Sequence, residues 1–230
     1  MSELLSSNLF FFTSLTILAF SIGAFIQRKF KLAVLNPILL GGAMVMALLV
    51  ALDIPNETYQ AGCKVLSFLL TPATICLSIS LYEQFQTMRK HMTAIFLGLL
   101  LGTICCLGSI WLMCHLFGFD RVLSLSMLPK SITTAIGVSL SEELGGIAAI
   151  TSAAIVITGI FTNMAGPALC RLFRIHHPIA QGVSFGTAGH VVGTAKAAEL
   201  SQLTGAVSSF SLTITGILTT LLLSFLAQFI

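Results

Sequence analysis

An all-α integral membrane protein is the fold class this sequence predicts, and three observations predict it. Of its 230 residues, 56% are hydrophobic and only 8% are charged. Soluble domains carry about 25% charged residues, because charge covers their water-facing surface. Apolar runs recur along the chain, each near the ~20 residues that a helix needs to cross a hydrocarbon core about 30 Å thick. Basic residues gather at the ends of these runs, as they do in cytoplasmic loops. The net charge of +3 is small and scattered, which argues against nucleic acid and leaves the lipid bilayer as the first partner.

The opening MSELLSSN has no positive n-region, so the first apolar run, residues 9–26, reads as an anchor rather than a cleaved signal. It ends at Arg28, Lys29 and Lys31. A second span, 32–52, has Asn36-Pro37 near its start, where proline is tolerated, and leads into a loop with Asp53 and Glu57. A third, 63–81, is expected to be interrupted at Thr71-Pro72 and is followed by Arg89, Lys90 and His91. The fourth, 93–117, closes at Gly118, Asp120 and Arg121. Two further spans cover 146–169 and 205–229. This gives about six transmembrane helices in a single polytopic domain, residues 1–230. Four spans fill 1–120, and two units of a broken element plus a span fill 121–174 and 175–230.

The broken elements are the stretches rich in Gly, Ser, Thr and Ala that precede the last two spans: LPKSITTAIGVSLSEELGG (128–146) and GTAGHVVGTAKAAELSQLTG (186–205). With Gly137 set against Gly193, Ser131 meets Thr187, Val138 meets Thr194, Glu143 meets Glu199 and Leu144 meets Leu200. A three-residue gap then brings Gly146-Ile147-Ala148 onto Gly205-Ala206-Val207. Charge gives the direction. Arg28, Lys29 and Lys31 put the first loop inside and the amino terminus outside. Arg89 and Lys90 then also fall inside, and Arg171 and Arg174 do so only if the first stretch re-enters from the outer face. Limbs of eight to ten residues would reach the midplane at 1.5 Å per residue. The second stretch then enters from the opposite side. The pair would form an inverted repeat of half-helices, the arrangement of secondary transporters. A full crossing by both would instead give eight spans.

An ionisable group within a membrane segment costs several kcal/mol, so each is a functional candidate by default. Between Arg121 and Arg171 these are Lys130, Glu142 and Glu143; after Arg174 they are Lys196 and Glu199, with His190 beside them. Pro129 suits a first helical turn. A half-helix starting there would direct free N–H groups and its positive dipole end at an anion. Ser131, Thr133 and Thr134 add hydroxyls and Lys130 a full charge, a set suited to a small carboxylate. The bland reading has Lys130 snorkelling to an interface while the hydroxyls cap a helix. Opposite it, Gly189 and Gly193 allow close backbone approach, Thr194 adds a hydroxyl, and His190 titrates near neutral pH and could carry a coupling proton. Lys196 and Glu199, at i and i+3, can pair; unpaired, Glu199 would be a second proton carrier. Asn36 could line the same cavity or simply start a helix. Glu142 and Glu143 read as a solvated rim.

Six cysteines lie in or beside apolar runs without a CxxC pair, and the five histidines do not fall at metal-ligand spacing with them. The sequence therefore calls for no metal and no cofactor. Without a GxSxG or HExxH pattern, it does not read as an enzyme.

The segments KLAVLNPILL (31–40), LLTPATICLSISLYEQ (69–84), LPKSITTAIG (128–137) and GTAGHVVGTAKAAEL (186–200) resemble the LrgB/CidB family of bacterial membrane proteins over nearly the whole chain. By that resemblance Asn36, Pro72, Tyr82, Glu83, Pro129, Lys130, Ser131, Thr133, Thr134, His190, Gly193, Thr194 and Glu199 fall on family motif positions. Ala135 stands where the family motif often has proline, which implies a less sharply broken helix. The resemblance implies a bacterial inner-membrane location, a smaller LrgA/CidA-type membrane subunit as partner, and a homo-oligomer as a further assembly. It also implies two functions. One is transport of small monocarboxylates, since a plastid relative carries glycolate and glycerate and some bacterial relatives are linked to pyruvate uptake. The other is holin/antiholin-like control of murein hydrolases and autolysis.

Overall fold

In a computed structural model, which describes residues 9–30 and 36–228, the described chain is helical throughout. Lys31, the expected start of the second span at 32–35 and the opening MSELLSSN lie outside the described residues. Ten helices follow in order: α1 (Leu9–Phe30), α2 (Pro37–Ala51), α3 (Asn56–Gly62), α4 (Lys64–Arg89), α5 (Met92–Leu116), α6 (Arg121–Met127), α7 (Thr134–Glu143), α8 (Ala148–Leu172), α9 (Pro178–Leu200) and α10 (Gln202–Leu226). Four of them, α1, α5, α8 and α10, are both long and apolar enough to cross a bilayer. This is two fewer than the six expected spans. Helix α2 has 15 described residues, about 22 Å at 1.5 Å per residue. Helix α4 has the length, yet only its segment 64–73 is counted as apolar. The expected interruption at Thr71-Pro72 is absent, because α4 runs through Pro72 as one helix. Proline forfeits one backbone bond there, a loss that membrane helices tolerate when neighbouring groups re-satisfy the freed carbonyl.

The chain divides into two compact units, Met1–Cys76 and Leu77–Ile230. In the first, α1 and α2 form an antiparallel pair. Gly23 lies against Pro37 and Leu40, and Gly41 against Ala19 and Phe20. Asn36 caps α2, its Oδ1 accepting from Ile38 N at 2.8 Å, and Pro37 takes the first helical position, where a missing N–H costs nothing. Helix α3 rests on α1 through Thr13 Oγ1, which donates to the Gly62 carbonyl at 3.1 Å, and through the Thr16–Tyr59 hydroxyl pair at 2.9 Å.

The second unit is built on three long helices and two hairpins. Ile95 and Leu99 of α5 pack with Ile179 of α9 and with Ala206 and Val207 of α10. Further along, Leu107, Ile110 and Cys114 meet Leu223 and Ala227. Helices α5 and α10 are therefore parallel. Helix α9 breaks at His190, whose φ of 41° and ψ of −137° lie outside the helical region, and the chain turns back on itself there. A Cβ on Gly193 would sit 2.7 Å from the Phe185 carbonyl, a proximity that an unbroken helix cannot produce. Limb 178–189 runs parallel to α10, with Gly182 at Thr204 and Val207 and Gly186 at Ser208 and Ser211. Limb 191–200 returns antiparallel, with Thr194 at Ser208 and Ala198 at Gly205. Small residues at i and i+4 permit this close helix contact.

Residues 121–143 make the matching hairpin from the opposite end. Helix α6 enters and α7 returns, so that Ser126 and Ser141 both meet Thr151 of α8 and a Cβ on Gly137 would stand 3.2 Å from the Pro129 carbonyl oxygen. Pro129 and Phe185 hold equivalent places in the aligned repeat, as do Gly137 and Gly193. Helix α8 runs antiparallel to limb 178–189, pairing Gly166 with Phe185 and Thr162 with Gly189, and hence antiparallel to α10. The two hairpin-plus-helix units are thus inverted copies. Both stretches fold back on themselves as hairpins. The helical limbs are roughly 10 to 18 Å long at 1.5 Å per residue, about a third to a little over half the ~30 Å that a hydrocarbon core measures. Leu97, Leu101, Ile157 and Leu221 point outward with at least 60% exposure, as lipid-facing positions do.

The hairpins sort the charges. Arg89, Lys90 and His91 start α5 at the end where α8 delivers Arg171 and Arg174, and the His91 and His177 rings meet there with centroids 6.0 Å apart. Asp120, Glu142 and Glu143 lie at the other end.

Candidate functional site

The tip of the first hairpin is a run of turns. Lys130 N donates to the Met127 carbonyl and Ile132 N to that of Pro129, so the winding of α6 continues past the proline. The half-helix expected to begin at Pro129-Lys130 begins instead at Thr134, with Thr133 as its N-cap residue in extended conformation. The correction has a plain cause: proline at 129 lacks an N–H but still accepts through its carbonyl, so it extends the preceding turn. Lys130 and Ser131 are left on the tip, ahead of the helix start.

Both face a cavity of about 400 Å³ inside the second unit, walled by Phe161, Leu169, Phe173, Ile175 and Phe185 and carrying Thr158, Thr162, Ser184, Cys106 and Cys170 as well. A mostly apolar pocket with a few placed polar groups is the usual form of a small-molecule site. Lys130 is its only charged lining residue. Lys130 Nζ donates to Ser131 Oγ at 3.3 Å, and Ser131 Oγ lies 3.1 Å from Cys106 Sγ. Among the described residues, no carboxylate lies within ion-pair distance of Lys130; the one ion pair is Lys196–Glu199.

The second tip reaches the same helix from the other side. His190 is buried and its Nε2 donates to the Ile155 carbonyl at 2.8 Å. Gly159 makes room for the ring, since a Cβ there would stand 2.6 Å from it. Asn163 Nδ2 donates to the Val192 carbonyl at 3.3 Å. Helix α8 thus braces the broken point on both sides, while the Ile155 side chain touches Gly137 of the first hairpin. A non-glycine residue at positive φ costs about 1–3 kcal/mol and persists only where its surroundings hold it. The two side-chain bonds do so here.

The other expected site residues separate. Gly189 and Gly193 pack on Thr162, and Thr194 is tied to Ser208 at 2.8 Å, so these three build the tip rather than line the cavity. Thr133 is half-buried and Thr134 exposed at the start of α7. Asn36 belongs to the first unit, where it caps α2. Glu199 is 65% exposed and held by Lys196 at 2.6 Å. It lies nine residues down the returning limb, roughly 13 Å from the tip at 1.5 Å per residue. An exposed pair of this kind contributes at most about 1 kcal/mol. Glu199→Gln is accordingly expected to leave the pH profile of any transport unchanged and to lower Tm by no more than a few degrees, read in one preparation by uptake and thermal unfolding.

Sequence reasoning missed Cys106, Thr158, Thr162 and Asn163, because it followed charge. The signal was present: Thr151, Thr158 and Thr162 recur at seven- and four-residue steps on one face of an otherwise apolar helix.

Comparison with known proteins places the chain in a family. A model of the LrgB-like family matches residues 16–229. Proteins named antiholin-like protein LrgB from Bacillus mycoides (strain KBAB4), Bacillus cereus (strain B4264) and Bacillus anthracis (strain CDC 684 / NRRL 3495) are each 32% identical over 216 residues, which cover 94% of this chain and 94% of the relative. No solved structure gives a significant match. With its family pattern spread over both units and both hairpins, this multi-pass membrane protein belongs to the LrgB-like family.

Proposed function

We propose that the chain is a secondary carrier for a small monocarboxylate of the pyruvate, glycolate or glycerate class, with the cavity at Lys130 as its binding site. The carrying observation is a single ammonium, without a carboxylate partner, on the tip of a re-entrant hairpin in an otherwise apolar cavity. One fixed positive charge neutralises one carboxylate, and the phenylalanine and leucine walls suit a short carbon chain. Ser131 shares the anion with Lys130. Paired inverted hairpins support alternating access, because exchanging their conformations would turn the cavity to the opposite side. His190 carries the coupling proton at the second tip. The basic end formed by Arg89, Lys90, Arg171 and Arg174 faces the cytoplasm, which puts the amino terminus outside the bacterial inner membrane. An LrgA/CidA-type subunit and a homo-oligomer complete the assembly in this reading, and no enzymatic step is assigned.

The relatives' names favour a second reading, an antiholin-like protein that modulates membrane permeability and murein hydrolase export. The two separate on ligand binding. The carrier binds pyruvate or glycolate saturably in detergent, and binding weakens as the carboxylate is replaced by an amide. An antiholin without a carboxylate site gives no saturable binding, and that result would remove the carrier reading.

A further inference from the structure

We propose that Thr215 of α10 is a ligand group for the carboxylate, so that the anion site extends from the Lys130 tip to a point between the two half-helix starts. The proposal rests on the carrier reading. Among the described residues, Thr215 Oγ1 is the one buried side-chain oxygen or nitrogen without a hydrogen-bond partner, and the residue is 1% exposed. Its neighbours on the same face find partners: Ser208 binds Thr194, and Ser211 bonds back to the Val207 carbonyl. A buried hydroxyl without a partner is disfavoured and calls for an explanation.

Its height in the fold supplies one. Gly182 lies opposite 204 and 207 on α10, and Gly186 opposite 208 and 211, so one further turn brings the break at His190 level with 212–215. From the other hairpin, Ile136 in the first turn of α7 reaches Gly216, 3.4 Å from where its Cβ would stand. Thr215 therefore sits where two ten-residue half-helices begin, α7 at Thr134 and the returning limb at 191. A helix start carries the positive end of the helix dipole, and both of these starts lie at this level. The carbonyls at the end of α6 are partly consumed, Ser124, Met127 and Pro129 accepting from the turns that follow. Among the described residues no Asp or Glu is buried, so a cation would meet no carboxylate, whereas an anion would meet two helix starts and a hydroxyl, with Lys130 four residues before Thr134 in the chain.

The test compares Thr215→Val, which keeps the shape and removes the hydroxyl, with Thr215→Ser, which keeps the hydroxyl. Pyruvate uptake and thermal unfolding are measured on the full chain in proteoliposomes. We expect Val to raise KM at least about tenfold, the loss of a hydrogen bond to a charged group, without lowering Tm, and Ser to stay within about threefold. An unchanged KM in the Val variant overturns the proposal, whichever way Tm moves. Should Val fail to insert, Thr215→Ala gives the second readout: an unchanged KM for pyruvate overturns the proposal. Absence of uptake by the wild type would instead remove the carrier reading itself.

Discussion

Replacing Lys130 with methionine is expected to lower kcat/KM for carboxylate uptake by at least about a hundredfold while leaving the protein inserted and folded. Methionine keeps most of the side-chain length and removes the charge, which is the only one lining the cavity. A charge pair about 4 Å apart at an effective dielectric constant near 20 is worth about 4 kcal/mol, and each 1.4 kcal/mol is a factor of ten. The loss therefore reaches two to three orders of magnitude. Lys130 has no ion-pair partner among the described residues to be left stranded, so folding should not suffer, and Tm should match the wild type. Lys130→Arg keeps the charge with a wider head and should retain part of the activity. Uptake that persists in the methionine variant would remove Lys130 from the site.

Gly193→Ala is expected to destabilise the second unit at the tip of its second hairpin. The new Cβ would lie 2.7 Å from the Phe185 carbonyl oxygen, and that backbone has nowhere to retreat. Phe185 is itself buried, and its ring already fills the place of a Cβ on Gly166. Overpacking of this kind costs about 1–3 kcal/mol, and in a chain of this size each kcal/mol moves Tm by about 2–4 °C. Gly108→Ala on α5 is the control, because a Cβ there meets nothing within 4 Å. Alanine should hold or raise stability at that position, since it favours helix over glycine by up to about 1 kcal/mol. Thermal unfolding of both variants in detergent checks the pair. Equal shifts would mean that the hairpin tip is not closed as described.

The re-entrant hairpins were legible in the sequence because two signals converge on them. Arg171 and Arg174 had to share a side with Arg89 and Lys90, and Gly137 aligned with Gly193. Both signals follow from the cost of charge and side-chain bulk inside a bilayer, which acts on the chain directly. The start of α7 was less legible. Proline at 129 suits a first helical turn but equally closes a preceding one, and only the bonds from Lys130 N and Ile132 N decide between them. Pro72 misled for a similar reason, as a membrane helix can absorb one lost bond. Asn36 allows both of its readings in the sequence, and only the fold shows that it caps α2. The pairing of Lys196 with Glu199 was allowed by spacing, but its distance from the tip depends on where the helix breaks. That break falls at His190, which has no glycine's freedom to advertise a positive φ. Thr215 was invisible as a threonine among many, and only its lack of a partner sets it apart.

Carriage of a carboxylate past Lys130 by two inverted hairpins is tested most directly by uptake of labelled pyruvate and glycolate into proteoliposomes. The inward proton gradient is switched on and off, and an LrgA-type subunit is present in one arm. A carrier gives saturable uptake that unlabelled carboxylate competes away and an inward gradient stimulates. Failure of uptake in both arms, with release of an unrelated trapped dye, would contradict it.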